Sequence, residues 1–541
     1  MKKWLLRSCA AALLSVPLLV ACSDEKDEAS VDGDGKDTAQ EITLNAISEP
    51  PALDPALATD MTSAWILDHL FEGIYTKDKN GDIVLGTAEN VDVSEDKMKF
   101  TITIREDAKW SNGDNLKAED YAFAWNRVLN PETGSAFAFH LYYIKGAEEY
   151  NKGTGSAEDV GIRVINDKTL EVELKSPLGF FDKLLSLWTY YPVNKSVVEG
   201  NKNWAEADTF VSNGAYKMTQ WKHNSDVIVE KNEHYWNKAD VSMEKVTWKM
   251  IGDATTYYQM YKTGELDLIQ TLPTDVIEQE KQNEDYKNVP YFGAYMYLFN
   301  VKKEPFTNEK VRRAFSLAID REALTNNITK GGETPAYSFV PKGITEPSGK
   351  DYRDVKQAYF EFDPSQAKQL IEEAMKEEGW SELPEVTLMY NTAESNKKVA
   401  EAIQQMLNKN LDISVKLANQ EWKTYLETVN QHNFQMARMG WIGVYEDPIP
   451  VLDYYLGDSP NNRTQWVSEE YDSILNQAKA EQDEAKRFEL MHQAEDILME
   501  DVPFTPIYHY SNNYLTSTEF KDIIYPVNRY PYVRWAQKVS N

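Results

Sequence analysis

Strict alternation of apolar and polar residues predicts β-strands in the first part of the chain. Residues 41–46 and the stretch FTITI at 100–104 alternate with the period of two that is typical of half-buried strands. Residues 77–82 contain an Asn-Gly pair just before the apolar segment 83–85, which predicts a hairpin. An acidic metal-binding loop is the alternative for 77–82, but no glutamate closes the calcium-loop spacing there.

A helical period replaces this alternation between residues 363 and 379. Asp363 is a good N-cap, Pro364 fits the first helical position, and Gly379 is a typical stop. Five apolar side chains fall on one face of the predicted helix: Ala367, Leu370, Ile371, Ala374 and Met375.

The next segment predicts a strand–helix–strand unit. Residues 386–390 and 413–417 have strand patterns, and an amphipathic helix is predicted between them over 397–410. A connection of this length implies a parallel pair with a right-handed crossover. Ligands of parallel sheets bind beyond the carboxyl ends of the strands. Trp422 follows the second strand closely, so it is predicted to lie near a ligand.

The amino-terminal residues have the pattern of a secretory signal. Three basic residues precede an apolar run over 10–20, which is too short to span a membrane permanently. The run ends in Leu-Val-Ala before Cys22, which resembles the lipobox of bacterial lipoproteins. We therefore expect a signal peptide over 1–21, cleavage before Cys22 and acylation of Cys22. A plain secretory signal with an incidental Cys22 is the alternative.

The composition predicts a tether and excludes several classes of protein. Residues 22–40 contain seven acids and almost no apolar side chains, which predicts a disordered acidic tether. The whole chain has 57 Lys and Arg against 87 Asp and Glu, and this net charge of −30 argues against a nucleic-acid partner. Its two cysteines, Cys9 and Cys22, exclude a disulfide framework and a Cys-based zinc site in the mature chain.

No pattern of catalytic residues stands out. The seven histidines form no HExxH pair, and the sequence has no G-x-S-x-G elbow, P-loop or G-x-G-x-x-G motif. The 14 Trp and 31 Tyr would suit a sugar-binding cleft, but no acidic pair is singled out by its spacing. We therefore expect a binding protein, not an enzyme, with no cofactor and no metal ion.

Several short segments, in this order, resemble one family. They are KWSNGD at 109–114 with AEDY at 118–121, SNGAY at 212–216, TGELD at 263–267, VRRAF at 311–315 with AIDR at 318–321, NQEW at 419–422 and PIYHY at 506–510. Together they are similar to the oligopeptide-binding lipoproteins of bacterial ABC peptide importers, from about residue 41 to the carboxyl terminus. Within that family the chain resembles the Gram-positive members, including those that take up murein tripeptide.

Most of these segments are expected to be scaffold. Asn213-Gly214 suits a tight turn. The segment 311–319 predicts one apolar helix face, with Arg312 and Arg313 turned outward.

The resemblance implies an α/β fold of two lobes, the periplasmic-binding-protein-like fold of type II, with an extra domain in the first lobe. It places the core of lobe 1 at 41–60, 190–290 and 512–541, the extra domain at 61–189, and lobe 2 at 291–511. It also implies a lipid-anchored monomer on the extracytoplasmic face of the cell membrane. The implied function is capture of short peptides between the lobes and their delivery to the permease of an ABC transporter. Alternatives are another solute, such as an oligosaccharide or a metal chelate, and a surface sensor or adhesin.

The resemblance also implies a strand that pairs with the peptide, at residues 436–442. Gly440 and Ile442 would offer backbone groups, so that any peptide sequence can pair with them. Trp441 and Trp422 would form pocket walls. The alternative for either tryptophan is a plain core residue.

Four further residues are implied at the ends and walls of the site. Arg438 would meet the carboxylate of a short peptide, and its alternative is an ion pair with an acid such as Glu446. Tyr510 matches a pocket tyrosine. Glu49 and Pro50 match the first-lobe edge that faces the peptide, and because proline has no N–H, one main-chain bond is expected to be missing there.

Two positions depart from the family's pattern. The family usually places an aspartate at the position of Val444, to pair with the α-ammonium of the peptide. An ammonium buried without a counter-charge costs several kcal/mol. We therefore expect either that Glu446, Asp447 or Glu49 takes over, or that the ligand has no free amine there. A histidine that serves longer peptides is replaced by Asn396, which favours short ligands.

Overall fold

The structure is a computed structural model, and it describes residues 39–356, 358–443, 445–459 and 461–539. Several predictions therefore lie outside the described residues: the signal peptide, acylation of Cys22, the tether up to residue 38, and the surroundings of Val444.

Strands occur along the whole described chain. They are β1 (Glu41–Asn45), β2 (Tyr75–Lys77), β3 (Ile83–Leu85), β4 (Ala88–Val93), β5 (Lys99–Ile104), β6 (Ile162–Asn166), β7 (Thr169–Glu173), β8 (Tyr216–Lys222), β9 (Asp226–Lys231), β10 (Lys245–Lys249), β11 (Leu268–Gln270), β12 (Tyr286–Phe299), β13 (Thr334–Pro335), β14 (Val386–Asn391), β15 (Val415–Gln420), β16 (Met436–Ile442), β17 (Phe504–Thr516), β18 (Phe520–Lys521) and β19 (Gln537–Lys538).

Helices lie between these strands along the chain. They are α1 (Met61–Leu70), α2 (Ala118–Leu129), α3 (Ala147–Asn151), α4 (Phe181–Leu184), α5 (Lys195–Val198), α6 (Ala254–Lys262), α7 (Ile277–Glu280), α8 (Glu309–Leu317), α9 (Arg321–Leu324), α10 (Tyr352–Val355), α11 (Pro364–Glu378), α12 (Glu394–Leu411), α13 (Trp422–Asn430), α14 (Ile449–Leu452), α15 (Glu469–Ala480) and α16 (Glu484–Asp501). Within the described residues, no helix combines the length and the apolar character that a membrane crossing requires.

One mixed sheet of eleven strands organises the fold. Ten strands lie in the order β15-β14-β16-β12-β17-β11-β1-β10-β9-β8, and β13 adds to β17. Within the sheet, the long strands β12 and β17 pair antiparallel. Residues 291–300 of this region are all buried, because neighbours cover both edges and both faces of β12 there. A strand buried on both faces loses the alternating pattern that identifies a half-buried strand in a sequence.

The pairing of β12 with β17 is interrupted near its middle. The register jumps between Pro290, which faces Ser511, and Ala294, which faces His509. β11 pairs with the last part of β17, whereas β16 pairs with the last part of β12. The sheet is thereby divided into two halves that share β12 and β17, as a two-lobed α/β fold requires.

A separate antiparallel sheet lies within residues 61–189. Its strands have the order β4-β5-β7-β6, and α2 packs against β6 and β7. On β5 the side chains of Phe100, Ile102 and Ile104 are buried, while those between them are only half-buried. The strand predicted from the alternation FTITI is thus confirmed. The hairpin predicted at 77–82 is also confirmed, since β2 and β3 pair antiparallel around it.

The predicted helix after Asp363 is confirmed in its two ends. The Asp363 carboxylate accepts the N–H groups of Ser365 and Gln366, and α11 starts at Pro364. Gly379 ends the helix with φ +70°, in the left-handed region that glycine adopts without strain.

The predicted strand–helix–strand unit is also confirmed. β14 and β15 pair in parallel, with α12 between them. The helix begins at Glu394, earlier than predicted, and β15 begins at Val415 instead of at residue 413. The carboxyl ends of the two strands therefore lie side by side at one edge of the second half of the sheet.

At the turn predicted for Asn213-Gly214 the chain bends at Gly214 and Ala215, but the described residues show no backbone hydrogen bond that closes a turn there. This segment docks onto the end of α1: Asn213 Nδ2 donates to the C=O of Glu72 at 2.8 Å, and the N–H of Gly214 donates to the C=O of Leu70 at 2.8 Å. A Cβ on Gly214 would lie 2.7 Å from the Leu70 carbonyl oxygen, so glycine is required for this close approach rather than for a turn.

The prediction that Arg312 points outward is wrong. Its side chain is buried, and its guanidinium donates to the C=O groups of Phe306, Asp501 and Val502. Arg313 is half-buried and donates to the C=O of Glu500. Both arginines bind the carbonyl groups at the end of α16, where a helix leaves its last carbonyls without internal partners.

Candidate functional site

The free edge of β16 is the central feature of the candidate site. β16 pairs with β12 along its length, but it pairs with β14 only at Met436 and Ala437. Beyond Ala437, no strand of the described residues covers the edge of β16 that faces away from β12. An uncovered edge presents N–H and C=O groups to which an extended chain can add as a further strand.

The register shows which residues present these groups. Gly443 donates its N–H to the C=O of Phe292 at 2.9 Å, and in antiparallel pairs every second residue bonds to the same neighbour. Gly440 and Ile442 therefore direct their backbone groups toward the free edge. The C=O of Arg438 points the same way and accepts the Tyr425 hydroxyl at 2.6 Å. Backbone pairing of Gly440 and Ile442 with a ligand stays a prediction.

Arg438 projects from β16 into a set of hydroxyl and amide groups. One Nη donates to Tyr510 Oη at 3.1 Å and the other donates to Asn391 Oδ1 at 3.3 Å. The guanidinium carbon lies 4.4 Å from the centre of the Tyr295 ring, and Nε is buried without a hydrogen-bond partner. The guanidinium is thus held in position while part of its donor capacity is left over.

Among the residues that the structure describes, no carboxylate balances the charge of Arg438. Within the part of the chain that the structure describes, Arg438 forms no ion pair, and Glu446, its alternative partner, pairs with Lys77 at 2.7 Å. Burial raises the pKa of Tyr510 to about 12, so this hydroxyl is neutral at physiological pH. A partly buried cation among neutral groups favours the binding of an anion, and the planar fork of a guanidinium matches a carboxylate.

Gly440 lets Tyr510 reach Arg438. A Cβ on Gly440 would lie 2.5 Å from Tyr510 Oη and 3.3 Å from an Nη of Arg438. Tyr510 lies where the register of β12 and β17 is interrupted, so its ring is placed at the division between the two halves of the sheet. The predicted residues Arg438, Gly440 and Tyr510 are therefore brought into one cluster.

Sequence reasoning missed Asn391, Tyr295 and Tyr425 in this cluster. Asn391 ends β14, and a polar residue at the carboxyl end of a parallel strand is the signal that could have found it. Asn396 is buried, donates to Asn391 Oδ1 at 3.0 Å and accepts the Tyr295 hydroxyl at 3.2 Å. Asn396 therefore lies behind Arg438 and orients two of its neighbours without adding a charge.

The two predicted wall tryptophans lie in different environments. Trp441 is 8% exposed, and its ring packs edge-on against Phe292 with 5.4 Å between the ring centres. Trp422 is 48% exposed, begins α13, and stacks on Tyr425. The burial of Trp441 is that of a core residue, whereas Trp422 is available beside the free edge. Contact of either ring with a ligand stays a prediction.

We expect Trp422→Ala to weaken ligand binding while the folded protein keeps its stability. The side chain is half exposed, so its removal costs the fold less than about 1 kcal/mol, whereas loss of an aromatic wall should weaken a ligand about three- to tenfold. Calorimetric titration and urea unfolding measure the two effects. Phe362→Ala, another exposed aromatic residue at 39%, is the control and should change neither quantity. A large loss of stability in Trp422→Ala would show that the ring is structural.

Glu49 and Pro50 lie at the edge of the first half of the sheet, just beyond β1. The Glu49 carboxylate binds His223 Nδ1 at 2.7 Å, Trp221 Nε1 at 3.0 Å and the N–H of Asn224 at 2.7 Å. Its charge raises the pKa of His223. The Glu49 side chain therefore ties this edge to the turn between β8 and β9, and Pro50 is buried beside it. A ligand contact of either residue stays a prediction.

The carboxylates expected to replace the family's aspartate are already engaged. Glu446 pairs with Lys77, and the buried Asp447 pairs with Arg487 at 2.5 Å and Lys183 at 3.1 Å. Both carboxylate oxygens of Glu49 form hydrogen bonds with residues of the first half of the sheet, His223 and Asn224. All three acids thus have partners within the protein, and whether one of them takes over the ammonium or the ligand has no free amine there stays a prediction.

These features define a class of protein. A two-lobed α/β fold with an uncovered strand edge and an unbalanced guanidinium beside the division between its lobes is built to bind a solute. Among the described residues, no three His, Cys, Asp or Glu side chains are grouped to hold a metal ion. The model of the bacterial extracellular solute-binding proteins, family 5 (middle part), matches residues 82–463, and the chain belongs to this family. The family match and the solved structures below confirm the predicted fold class.

Relatives with known names agree with this assignment. The chain is 41% identical over 499 residues to the dipeptide-binding protein DppE of Bacillus subtilis, covering 92% of each chain. It is 37% identical over 529 residues to the oligopeptide-binding protein OppA of the same organism, covering 95% of this chain and 96% of the relative. The unliganded open form of the periplasmic murein tripeptide-binding protein MppA superposes with a TM-score of 0.78 at 32% identity, covering 93% and 98% of the two chains. Relatives are thus named as binding proteins and not as enzymes.

Proposed function

We propose that this protein captures short peptides along the free edge of β16 and delivers them to the permease of an ABC transporter. The observation that carries the proposal is Arg438, a partly buried guanidinium that pairs with no carboxylate of the described residues and lies at one end of an uncovered strand edge. Membership of the family and the names of the relatives support a peptide over an oligosaccharide or a metal chelate. An oligosaccharide has no backbone amides to pair with Gly440 and Ile442.

The same geometry favours a short ligand in one direction. From Arg438 to Ile442 the strand rises by four residue steps, roughly 13 Å at 3.3 Å per step, which matches an extended peptide of about three to four residues. With its carboxylate on Arg438, the peptide would run antiparallel to β16 and place its amino end near residues 442–446. Each main-chain bond to Gly440 or Ile442 would add about 0.5–1.5 kcal/mol.

We propose that the lobes close on the ligand by bending of β12 and β17. The register interruption between Pro290 and Ala294 supports the proposed lobe boundaries at 290/291 and 511/512. The separate four-stranded sheet supports an extra domain at 61–189, which we assign to the first lobe. Tyr510 sits at this interruption and touches Arg438, so closure and ligand binding would involve the same contact. The radius of gyration in small-angle scattering should fall when ligand saturates the protein.

We also propose a lipid anchor at Cys22, which would hold the protein on the extracytoplasmic face of the cell membrane as a monomer. A single acyl chain gives only marginal binding, so a diacylated cysteine would be needed for stable anchoring. Cys22→Ala should leave the protein in the medium or unprocessed, as membrane fractionation and the mass of the mature chain would measure. Full retention of a processed Cys22→Ala protein at the membrane would contradict the anchor.

The proposed function is tested by identifying what the protein carries. Protein purified without refolding is denatured, and the released molecules are analysed by mass spectrometry. Short peptides should be found, and refolded protein should bind a synthetic tripeptide in calorimetry without turning it over. Released sugars or metal chelates, with no binding of any peptide in a panel, would overturn the proposal.

A further inference from the structure

The segment 445–447 lies just beyond the proposed amino end of the peptide and is held by residues of the segment 61–189. Tyr445 stacks on Phe180 with 5.7 Å between ring centres and 15° between ring planes. Lys183 donates to the C=O of Glu446 at 3.1 Å and to Asp447 Oδ2 at 3.1 Å. Lys77 donates to Glu446 Oε1 at 2.7 Å. Two lysines of one segment therefore reach two acids that follow β16.

A small cavity adjoins the Lys77–Glu446 pair, with a volume of about 60 Å³. Its charged lining consists of Lys77, Lys183, Arg529 and Arg534 against Asp68 and Glu446. Room for a few water molecules next to a carboxylate is room for a small ligand group. Both carboxylates in this lining are already paired, Glu446 with Lys77 and Asp68 with Arg529, so neither is left to balance a further positive charge.

The Lys77–Glu446 pair is more shielded than the usual surface pair. The side chain of Lys77 is 10% exposed and that of Glu446 is 23% exposed, and Lys77 also donates to Asn528 Oδ1 at 3.1 Å. The Glu446 carboxylate is therefore satisfied by a cation from the protein itself. An α-ammonium that approached it would have to share the carboxylate with Lys77 and would be repelled by the lysine charge.

We propose that Lys77 is a specificity-determining residue: it occupies Glu446 and so biases the site against ligands with a free ammonium at their amino end and toward neutral ones. This inference rests on the proposed peptide-binding function. The family usually places an acid at the position of Val444, near this end. Because that acid is absent here, the pairing of Glu446 with Lys77 determines how strongly the site binds an ammonium group.

The test compares trialanine with N-acetyl-trialanine by calorimetric titration. In Lys77→Met, Glu446 loses its cation, so the ratio of the association constants for the free-amine and the acetylated peptide should rise about tenfold over wild type. Lys77→Arg keeps the charge and should restore the wild-type ratio. Lys145→Met is the matched control: Lys145 lies in the same segment and pairs with Glu173 at the same distance of 2.7 Å, but it is 55% exposed, and its removal should leave the ratio unchanged.

The possible results of the titrations separate a failure of this inference from a failure of the proposed function. An unchanged ratio in Lys77→Met would overturn the inference, and so would an equal loss of affinity for both peptides, because Lys77 would then only hold the two segments together. If Lys77→Met does not fold, the variant Glu446→Gln decides: it leaves Lys77 without its acid, so the ratio should fall below that of wild type, and a rise or no change would contradict the inference. A wild-type protein that binds neither peptide would overturn the proposed function itself and this inference with it.

Discussion

Arg438→Met is expected to lower the affinity for a tripeptide with a free carboxylate by about a hundredfold, or ~3 kcal/mol. The guanidinium has no carboxylate partner within the described residues, so its removal costs the apo protein little and costs the complex a charge-assisted, fork-shaped contact. Calorimetric titration of the tripeptide and of its C-terminal amide measures the effect. The amide should bind wild type weakly and should be affected little by the substitution.

The conservative variant separates charge from geometry. Arg438→Lys keeps the positive charge but loses the planar fork and its contacts with both Asn391 and Tyr510, so an intermediate affinity is expected. Equal binding of acid and amide by the wild-type protein would contradict the assignment of Arg438. The same holds if acetylation of the amine abolishes binding while amidation of the carboxylate has no effect, because the amine would then be the gripped end.

Arg487→Met is expected to lower the free energy of unfolding by about 3 kcal/mol. Arg487 and Asp447 form a fully buried ion pair, and removal of one partner leaves the other charge buried, which typically costs about 3–5 kcal/mol. Lys183 remains beside Asp447, so the lower end of that range is expected. Urea unfolding followed by tryptophan fluorescence measures the change. Lys145→Met, which breaks an exposed pair, should cost less than about 1 kcal/mol.

The double variant Arg487→Met with Asp447→Leu should recover most of the loss. Two well-packed apolar side chains replace both charges, and such replacements are often neutral or stabilising. A double variant less stable than Arg487→Met alone would contradict the explanation by an uncompensated charge.

The pair also makes stability depend on pH in a defined direction. Burial disfavours the charged carboxylate of Asp447, but Arg487 and Lys183 outweigh this and lower its pKa from 3.8 to about 2. The folded pKa is below the unfolded one, so the contribution is fully present above pH 3.8 and is lost as the pH falls through about 2. Loss of Arg487 removes the main cause of the shift. Acid unfolding of Arg487→Met should therefore begin at a higher pH than that of wild type, as circular dichroism would follow.

Local structure could be predicted from the sequence where the residues that determine a helix or strand lie within that same short segment. The helix after Asp363 is determined by a cap, a proline and a terminal glycine, all between residues 363 and 379, and its predicted ends are those of α11. The alternation in FTITI identified β5, because one face of that sheet is buried and the other is not. Where a strand is buried on both faces, as β12 is, no such pattern exists in the sequence.

The candidate site was predictable only in part. Arg438, Gly440 and Tyr510 were named from their segments, and the structure brings them together, although residues 438 and 510 are far apart along the chain. Asn391 has a local signal, its place at the carboxyl end of a parallel strand, but Tyr295 lies in a fully buried part of β12 and has none. The outward direction expected for Arg312 was wrong for a related reason: the helix pattern shows which residues are apolar, but not that α16 ends against Arg312 with unpaired carbonyl groups.

The sequence by itself determined the class of fold, the family, the local elements and the strand predicted to bind the ligand, because these depend on periodicity, caps and short motifs. Only the tertiary structure decided which charged side chains are paired and which are not. Nothing in the sequence distinguishes the acids Glu446, Asp447 and Glu49. In the structure Glu446 pairs with Lys77, Asp447 pairs with Arg487 and Lys183, and Glu49 pairs with His223. Arg438 meets no acid among the described residues. These ion pairs join residues between 40 and 369 positions apart. Which charge stays unbalanced, and hence available to a ligand, is therefore determined by how the elements pack.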